Sequence, residues 1–520
     1  MNESRDTKAI NKWLIAITVM FPTFMEIMDT SVVNVSLPYI RGSMSAGVDE
    51  VTWVLTSYLV SNAIVIPLSG WFSRRFGRKR YLLFSILIFT MSSLVCGAAP
   101  SLAVLVVSRI FQGIGGGGLQ PSSQAILLES FPKEERGMAM AFFGMGVVLA
   151  PVLGPVLGGW ITDTFSWRWI FYINLPAGFL ATIMALLFIY DPSYIKRRRL
   201  PIDRWGLFFL CLGLGCLQIV LDKGQRNDWF SSHFILTLSA ISVFALLSFV
   251  LVELHTPHPV VNLRVLRDRT FATGNLIMFT GFFTLFGGLV LLPLFVQELM
   301  GYTAFWAGLV LGPGGIAAFF VMPLAGALMK KGVSPRLLLL IGLVILAFSL
   351  FLMSGFNLDA GFMEIAWPRI VMGFGLGLFF VPLATVTFGD IPNEETGNAS
   401  GLFNLIRNLG GSFGVAFSAT MLARRTQLHQ NFLVEHITPF SSRFQDREHL
   451  LRELLRDRDP LLAFGNNPLI VMYQEMLRQA RLLAYNDAFW LLSLLTAFLI
   501  PTVLLLKSSQ TGEKPTPAAA

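Results

Sequence analysis

The chain has 520 residues, of which 54% are hydrophobic and only 13% are charged. A soluble domain carries about twice that charged fraction, so the composition excludes a soluble protein and indicates one that crosses a membrane many times. The formal net charge of +8 does not indicate nucleic-acid binding, because no soluble basic domain is present to carry that charge.

Fourteen apolar segments are long enough to cross a bilayer as helices, which takes about 20 residues each. They lie at 13–38, 51–72, 81–99, 102–128, 137–160, 168–190, 205–222, 233–253, 271–296, 304–329, 336–354, 365–388, 399–423 and 487–506. The first segment is long, contains acidic residues and has no small-x-small cleavage site, so it is not a cleaved signal peptide. We predict an all-α polytopic membrane protein.

Positive charge collects in alternate loops of this pattern. These loops carry Arg74, Arg75, Arg78, Lys79 and Arg80; Lys133 and Arg136; residues 196–199; Arg264, Arg267 and Arg269; and Lys330, Lys331 and Arg336. Short loops rich in Lys and Arg remain in the cytoplasm, so we expect both termini on the cytoplasmic side.

Two carboxylates lie in the middle of the first span. Glu26 and Asp29 are three residues apart, which places them on one helix face. Ionised groups are costly in hydrocarbon, so carboxylates there usually face a cavity and have a function. We interpret the pair as a proton-coupling or cation-binding site and favour Asp29; a helix end or an internal salt bridge is the alternative. Asn34 adds polar surface to the same span.

A basic turn joins spans two and three. Glycine permits such a tight turn, and arginines there can bond helix C-termini and carboxylates. The sequence alone favours the simpler interpretation, a positive patch that sets the topology. The candidate residues of this motif are Gly70, Arg74, Arg75, Gly77, Arg78 and Lys79.

Further cations lie inside later spans. Arg109, about two turns into span four, is the expected counter-charge of a first-span carboxylate, because a buried guanidinium needs a partner or a polar cavity. A fixed salt bridge between two helices is the alternative. The residues considered as lining a substrate cavity are Asn34, Gln112, Arg369, Asn404 and Arg407.

Span five contains closely spaced glycines and prolines. Gly154 and Gly158 are four residues apart, which lets a neighbouring helix approach closely, and prolines bend a helix. The motif consists of Pro151, Gly154, Pro155, Gly158 and Gly159. No nucleotide-binding loop of the Gly-x-x-x-x-Gly-Lys-Ser/Thr type is present, so we expect an ion or substrate gradient, and no cofactor, to supply the energy.

The block 109–154 recurs about 260 positions later without a gap. Arg109 returns as Arg369, and the loop Pro-x-Glu-Glu-x-Gly at 132–137 returns at 392–397. Abundant glycines alone would mean little, but a repeated intramembrane arginine and a repeated acidic loop argue against chance. Two homologous helical halves with a site between them are typical of secondary transporters.

The repeat predicts a domain plan with two additions. We expect six-helix halves at 1–200 and 264–507, two inserted spans within 201–263, and a disordered cytoplasmic tail at 508–520. Segment 424–486 is charged and should extend on the outside, with a solvated helix at 446–458.

These blocks together resemble the major facilitator superfamily, in its branch of fourteen-span drug:proton antiporters, and most closely the EmrB-type multidrug exporters. The matching stretches include 70–80, 109–115, 154–159, 29–38 and 167–176. One departure is Arg74, because the superfamily motif usually has Asp there; this weakens the assignment of a gating carboxylate to the loop but not the family resemblance.

The resemblance implies proton-driven export of hydrophobic or amphipathic compounds by alternating access across a bacterial inner membrane. It also implies two partners, a periplasmic adaptor and a TolC-like outer-membrane channel. A proton symporter or an exporter of a specific metabolite or fatty acid remains an alternative, and a non-transporting sensor or scaffold is a more distant one. An enzyme is disfavoured, because the spans contain no Ser/His/Asp or CxxC set and the histidines lack metal-ligand spacing.

Overall fold

A computed structural model describes residues 11–191, 203–438, 440–458 and 468–506. The described residues form helices and no strands, which confirms the all-α prediction. The helices are α1 Lys12–Ser43, α2 Val48–Val51, α3 Trp53–Phe76, α4 Arg78–Ala98, α5 Leu102–Gly116, α6 Leu119–Ser130, α7 Arg136–Thr164, α8 Trp169–Tyr172, α9 Asn174–Phe188, α10 Arg204–Lys223, α11 His233–His255, α12 Arg269–Glu298, α13 Ala304–Lys330, α14 Pro335–Met353, α15 Phe362–Thr387, α16 Thr396–His436, α17 Ser442–Arg458 and α18 Pro468–Leu499. The expected basic loop at 196–199 and the expected tail at 508–520 lie outside the described residues.

Thirteen helical segments of the described chain are long and apolar enough to cross a membrane. The remaining expected span, 399–423, lies within α16, which does not reach that apolarity. Its hydropathy is lowered by side chains such as Asn404 and Arg407, and both are buried. A helix can keep such polar groups inside a bilayer when they face the interior of the bundle.

The fourth expected span is divided into two helices. α5 ends at Gly116 and α6 begins at Leu119. A Cβ on Gly117 would lie 2.8 Å from the backbone oxygen of Asn62 on α3, and one on Gly118 would lie 2.4 Å from Ser85 Oγ on α4. The division therefore occurs where two neighbouring helices approach the backbone too closely for any residue but glycine.

The helices form two groups with the same packing plan. In the first, α1 packs on α7 and α9, α5 packs on α3 and α4, and α4 packs on α9. In the second, α12 packs on α16 and α18, α15 packs on α13 and α14, and α14 packs on α18. We call these groups the first and second halves. They meet through α7 with α13 and α15, and through α16 with α3 and α6.

The inserted helices α10 and α11 form a pair that touches both halves. α10 packs on α11, on α3 of the first half and on α16 of the second. Gln218 Nε2 on α10 donates to Ser412 Oγ on α16 at 3.2 Å. The pair therefore lies beside the junction between the halves.

The expected solvated helix is present as α17, which confirms the prediction for 446–458. Its described side chains are mostly exposed. It packs against α18, and Arg447 Nη2 donates to Glu475 Oε1 at 3.0 Å. The described part of the segment between the last two spans is thus largely helical.

The halves join at one end of the bundle. We call the end that carries residues 74–80 the basic-loop end. There Arg74 Nη1 lies 3.6 Å from Glu395 Oε1, Arg136 Nη2 donates to Asn393 Oδ1 at 3.0 Å, and Lys330 Nζ donates to Glu135 Oε1 at 3.4 Å. Each of these contacts links residues from different halves.

α7 and α13 pack closely along part of their length. A Cβ on Gly315 would lie 2.4 Å from Val152 Cγ2. Further along the same helices, a Cβ on Gly159, Gly308 or Gly312 would meet nothing within 4 Å. These three glycines therefore make no close helix contact, whereas three polar contacts join the halves at the basic-loop end.

Candidate functional site

Asp29 lies at the centre of a buried polar network in the first half. Its carboxylate accepts from Arg109 Nη1 at 2.6 Å, from Gln112 Nε2 at 3.1 Å and from Asn174 Nδ2 at 2.6 Å. The side chains of Asp29 and Arg109 are both 0% exposed. A buried ion pair is favourable only when further hydrogen bonds satisfy its remaining donors and acceptors. Gln112 and Asn174 bond the carboxylate here, whereas Arg109 Nη2 has no hydrogen-bond partner among the described residues.

Arg109 is held from several helices at once. Its Nε donates to the backbone oxygen of Val54 on α3 at 3.1 Å, and its Nη1 also donates to Gln112 Oε1 at 2.7 Å. The Tyr58 ring lies 4.2 Å from the guanidinium carbon, a cation–π distance. The expected pairing of Arg109 with a first-span carboxylate is thus made with Asp29.

Glu26 occupies a separate pocket on the same helix. Its Oε1 accepts from Tyr58 Oη at 2.8 Å and from Asn62 Nδ2 at 3.2 Å, and its Oε2 accepts from Gln120 Nε2 at 2.6 Å. Glu26 is only 3% exposed. All three partners are uncharged donors, so this carboxylate has no direct ion pair of the kind that Asp29 has.

The Glu26 pocket depends on a glycine in α5. A Cβ on Gly116 would lie 2.6 Å from Tyr58 Oη, 3.2 Å from Asn62 Nδ2 and 3.3 Å from Glu26 Cγ. Any larger residue would therefore displace the donors that hold the carboxylate.

A hydrogen-bonded chain leads from Glu26 to the second half. Gln120, which donates to Glu26, accepts through Oε1 from Arg407 Nη2 on α16. Arg407 is 4% exposed and lies 5.6 Å from the centre of the Phe282 ring. One helical turn further along α6, Gln124 Oε1 accepts from Asn404 Nδ2 at 2.6 Å. Two of the second-half residues considered as cavity candidates thus contact α6 of the first half.

Arg369 is placed differently from its repeat partner Arg109. It is buried, and its Nη1 lies 2.8 Å from Met372 Sδ. Its Nε has no hydrogen-bond partner among the described residues. At the positions where the repeat spacing would place Glu26 and Asp29, the second half has Phe286 and Leu289. The carboxylate pair therefore belongs to the first half alone.

The other cavity candidates divide between exterior and interior. Asn34 is exposed on α1. Gln112 is 0% exposed and bonds Asp29, Arg109 and Ser93. It belongs to the ion-pair network and does not line an open surface.

The basic-loop motif uses its residues in several ways. Gly77 has φ +92°, a backbone conformation that favours glycine. Arg78 pairs with Glu129 within the first half, Lys79 Nζ donates to the backbone oxygen of Leu186 at 2.6 Å, and the Arg75 guanidinium lies 5.1 Å from the centre of the Trp71 ring.

Arg74 and Gly70 of the same motif face the second half. Arg74 pairs with Glu395, so the residue that departs from the superfamily motif makes a contact between halves. A Cβ on Gly70 would lie 2.6 Å from Asn398 Cα. This part of the motif is a joint between α3 and α16 in addition to a positive patch.

The span-five motif packs against the carboxylate helix. A Cβ on Gly154 would lie 2.4 Å from Ser31 Oγ, and one on Gly158 would lie 3.0 Å from Val32 Cγ1. The backbone oxygen of Pro151 accepts from Ser31 Oγ at 3.3 Å. Pro155 lies inside α7, which continues past both prolines, and Gly159 faces open space. Pro151, Gly154 and Gly158 thus position α7 against α1 close to Asp29.

Sequence reasoning missed several residues of the site. These are Tyr58, Asn62, Ser93, Gln120, Gln124 and Asn174. All are polar side chains inside apolar spans, which is a general signal of function in a membrane protein. Asn174 even lies within the stretch 167–176 that carries the family resemblance. Their hydrogen-bond partners lie on other helices, and the spacing of residues along one helix does not predict which side chains of other helices they contact.

The arrangement supports proton binding more readily than bond chemistry. Asp29 pairs directly with Arg109, Glu26 reaches Arg407 through Gln120, and adding a proton to either carboxylate would remove a charge from a bonded network. Among the described residues, no group of three or more His, Cys, Asp or Glu side chains is placed to hold a metal ion.

The sequence matches a family model described as Major Facilitator Superfamily over residues 19–415. It is 36% identical to the Multidrug export protein EmrB of Haemophilus influenzae over 479 residues, covering 92% of each chain. It is also 36% identical to the Fatty acid resistance protein FarB of Neisseria gonorrhoeae, covering 95% of this chain and 96% of FarB. Identity to the Multidrug export protein EmrB of Escherichia coli K12 is 35%, with 94% of each chain covered.

Two solved structures share the fold at low sequence identity. The human organic anion transporter MFSD10 (TETRAN) superposes with a TM-score of 0.60 at 13% identity, covering 94% of this chain and 99% of that one. The proton:xylose symporter XylE superposes with a TM-score of 0.58 at 16% identity, covering 94% and 96%.

Proposed function

Because the chain belongs to the major facilitator superfamily, in the branch of the EmrB-type multidrug exporters, we propose that it exports hydrophobic or amphipathic compounds by proton-driven alternating access. The observation that carries the coupling is the placement of both buried carboxylates next to groups that depend on their charge. Asp29 neutralises Arg109 within the first half, and Glu26 reaches Arg407 of the second half through Gln120.

We assign the basic-loop end to the cytoplasm and the protein to a bacterial inner membrane. The positive-inside rule supports this orientation, since Arg74, Arg75, Arg78, Lys79 and Arg80 lie together at that end. With this orientation, we propose that the structure is outward-facing, because the Arg74–Glu395, Arg136–Asn393 and Lys330–Glu135 contacts join the halves at the cytoplasmic end.

The cycle follows from which contacts a proton weakens. In the outward-facing state, Asp29 or Glu26 takes a proton from outside, and its attraction to the cations falls. The halves rock apart at the basic-loop end, the proton leaves to the cytoplasm, and substrate enters between the halves. The restored carboxylate pairs again and favours return to the outward-facing state with cargo.

The energetics of one proton are sufficient for useful export. Moving one charge through about 100 mV supplies about 2.3 kcal/mol, and one pH unit adds about 1.4 kcal/mol. Together these terms support a concentration gradient of a neutral compound of at most a few hundred-fold.

A second candidate is export of one class of amphipathic acids, such as fatty acids. The relative FarB is named for fatty acid resistance. The two buried second-half cations, Arg369 and Arg407, each have a nitrogen without a hydrogen-bond partner among the described residues. A carboxylate headgroup is a suitable partner for such a guanidinium.

We further propose that the protein works with a periplasmic adaptor and a TolC-like outer-membrane channel. The proposal is supported by the family resemblance and by α17, whose described side chains are mostly exposed between the last two spans. Its position at the periplasmic end would be available to such an adaptor.

Drug accumulation in cells tests the export proposal. Cells that lack their own exporters express wild type or a variant and are loaded with fluorescent hydrophobic compounds. The amount of compound that remains in the cells is then compared. We expect cells with wild type to keep the compounds out until an uncoupler is added. Cells with Asp29→Asn should accumulate the compounds both before and after the uncoupler is added. Asp359→Asn, which changes an exposed loop carboxylate, is the matched control. If cells that express Asp29→Asn keep their intracellular drug as low as cells that express wild type, Asp29 is not the coupling residue.

A further inference from the structure

Gln120 lies between the Glu26 carboxylate and Arg407, which are on different halves of the molecule. We propose that Gln120 is a positioning residue through which protonation of Glu26 weakens the bond between the halves. The proposal rests on the proton-coupled function above. It adds the route by which a proton bound in the first half changes a contact with the second half.

The orientation of the Gln120 amide is fixed by chemistry. A guanidinium has only donors, so Arg407 Nη2 must face the amide oxygen of Gln120. The amide nitrogen of Gln120 must then face Glu26, where it lies 2.6 Å from Oε2. Glu26 is therefore held as an acceptor for as long as Arg407 is bonded to Gln120.

A proton on Glu26 conflicts with that arrangement. On Oε2, the proton would point at an amide N–H, so two donors would face each other. If the amide turned over to accept this proton, its NH2 group would face Arg407 and the bond between the halves would be lost. On Oε1, the proton would leave Oε2 as an uncharged acceptor, which makes a weaker bond than a carboxylate. The first two routes disrupt the bond between α6 and α16, and the third weakens the bond by which Glu26 holds the Gln120 amide in position for Arg407.

Other charges near Glu26 do not replace this link. The titratable and charged groups that face it are Asp29 on its own helix, Tyr58 on α3 and Arg407 on α16. Asp29 is engaged with Arg109. Tyr58 belongs to the first half, so Arg407 is the one charged group in this set that lies on the second half.

The neighbouring bond between Gln124 and Asn404 provides a matched control. It joins the same two helices one turn away, at 2.6 Å, and it involves no carboxylate. Loss of this bond should weaken the packing of α6 on α16 without changing how that packing responds to pH.

The experiment measures the conformational equilibrium as a function of pH. Spin labels are placed at Arg80 and Lys331, exposed residues of the first and second halves at the basic-loop end, after replacement of the three cysteines. Their distance distribution is recorded from pH 5 to pH 9 for wild type, Glu26→Gln, Gln120→Leu, the combination of these two, and Gln124→Leu. Gln120→Met is a second replacement of similar length, should Gln120→Leu fold poorly.

We expect the population open at the basic-loop end to rise as the pH falls in wild type and Gln124→Leu. The difference in the open-to-closed ratio between wild type and Glu26→Gln measures the effect of the Glu26 proton. In the Gln120→Leu background, we expect the same Glu26→Gln change to shift the open-to-closed ratio by at most one tenth as much, because the two residues act as one unit.

Two outcomes would overturn the proposal, and they are distinguishable. If the full effect of Glu26→Gln persists in the Gln120→Leu background, Gln120 is not the link, although proton coupling stands. If wild type itself shows no change with pH, the proposed proton-coupled function fails together with this inference.

Discussion

At the scale of single residues, the two carboxylates of α1 have different environments. Asp29 pairs directly with Arg109 and accepts hydrogen bonds from two amides of the same half, whereas Glu26 is held by uncharged donors and reaches a cation only through Gln120. The first arrangement stabilises one half, and the second joins two halves. Their spacing of three residues predicts a shared helix face but not this division of partners.

Asp29→Asn should abolish coupled transport and reduce stability. Removal of one partner of a buried pair leaves an uncompensated charge, which costs about 3–5 kcal/mol. We expect a lower unfolding temperature in detergent and loss of pH-driven export. The double variant Asp29→Asn/Arg109→Gln should recover most of the unfolding temperature but none of the transport. Recovery of transport in the double variant would contradict a coupling role for the pair.

Replacement by Gln should have different effects on the unfolding temperature at Arg109 and at Arg369. Arg109→Gln leaves Asp29 buried without its cation, so the unfolding temperature should fall. Arg369 has no carboxylate among its described bonding partners, so Arg369→Gln removes a costly buried charge and should leave the unfolding temperature unchanged or raised.

Transport by Arg369→Gln distinguishes the two candidate functions. If Arg369 binds anionic cargo, export of amphipathic acids should fall about tenfold, which corresponds to about 1.4 kcal/mol of lost interaction, while export of neutral compounds is retained. An equal loss for acids and neutral compounds would argue for a structural role. Rates are compared in the same cells with compounds of matched hydrophobicity.

At the scale of helices, hydropathy predicts where spans lie but not how they are interrupted. The divided fourth span and the long, polar α16 both depend on neighbours: α5 and α6 meet where α3 and α4 touch the backbone, and α16 keeps Asn404 and Arg407 against α6. The spacing of Gly154 and Gly158 predicts a close helix, but only the structure identifies it as α1. For the same reason, Asn174 and Gln120 could not be assigned to Asp29 and Glu26 from their positions along the chain.

The approach of α3 to α16 at Gly70 should be sensitive to a single added side chain. A Cβ there would lie 2.6 Å from Asn398 Cα, so Gly70→Val should force the halves apart at the basic-loop end. We expect a cysteine placed at position 74 to react with a water-soluble maleimide at least several times faster in this background. Gly159→Val, at a position with nothing within 4 Å, should leave the reaction rate unchanged; equal rates in both backgrounds would contradict the prediction.

The Arg74–Glu395 contact is another joint that can be tested by charge exchange. At 3.6 Å and about one-third exposed on each side, it is expected to contribute at most about 1 kcal/mol. Arg74→Glu should therefore reduce export only a few-fold, by repulsion from Glu395, and Glu395→Arg added to it should restore export. Failure of the exchange to restore export would mean that Arg74 acts through the membrane topology instead.

At the scale of the whole molecule, the repeat predicts two equivalent halves, and the packing of helices shows the same plan in both. Function departs from that symmetry. The Glu26 and Asp29 carboxylates lie in the first half, and Arg407, which is linked to Glu26 through Gln120, lies in the second. The inserted pair α10 and α11 touches both halves beside their junction. We interpret the molecule as two halves that move relative to each other, with a relative position that depends on the charge of Glu26.

The direction of proton flux in liposomes tests this account most directly. Purified protein is reconstituted with a pH-sensitive dye inside, and a hydrophobic compound is added with no voltage imposed. The account predicts proton movement opposite to the movement of the compound, abolished by Asp29→Asn and retained by Asp359→Asn. Proton movement in the same direction as the compound would make the protein a symporter and contradict the export mechanism.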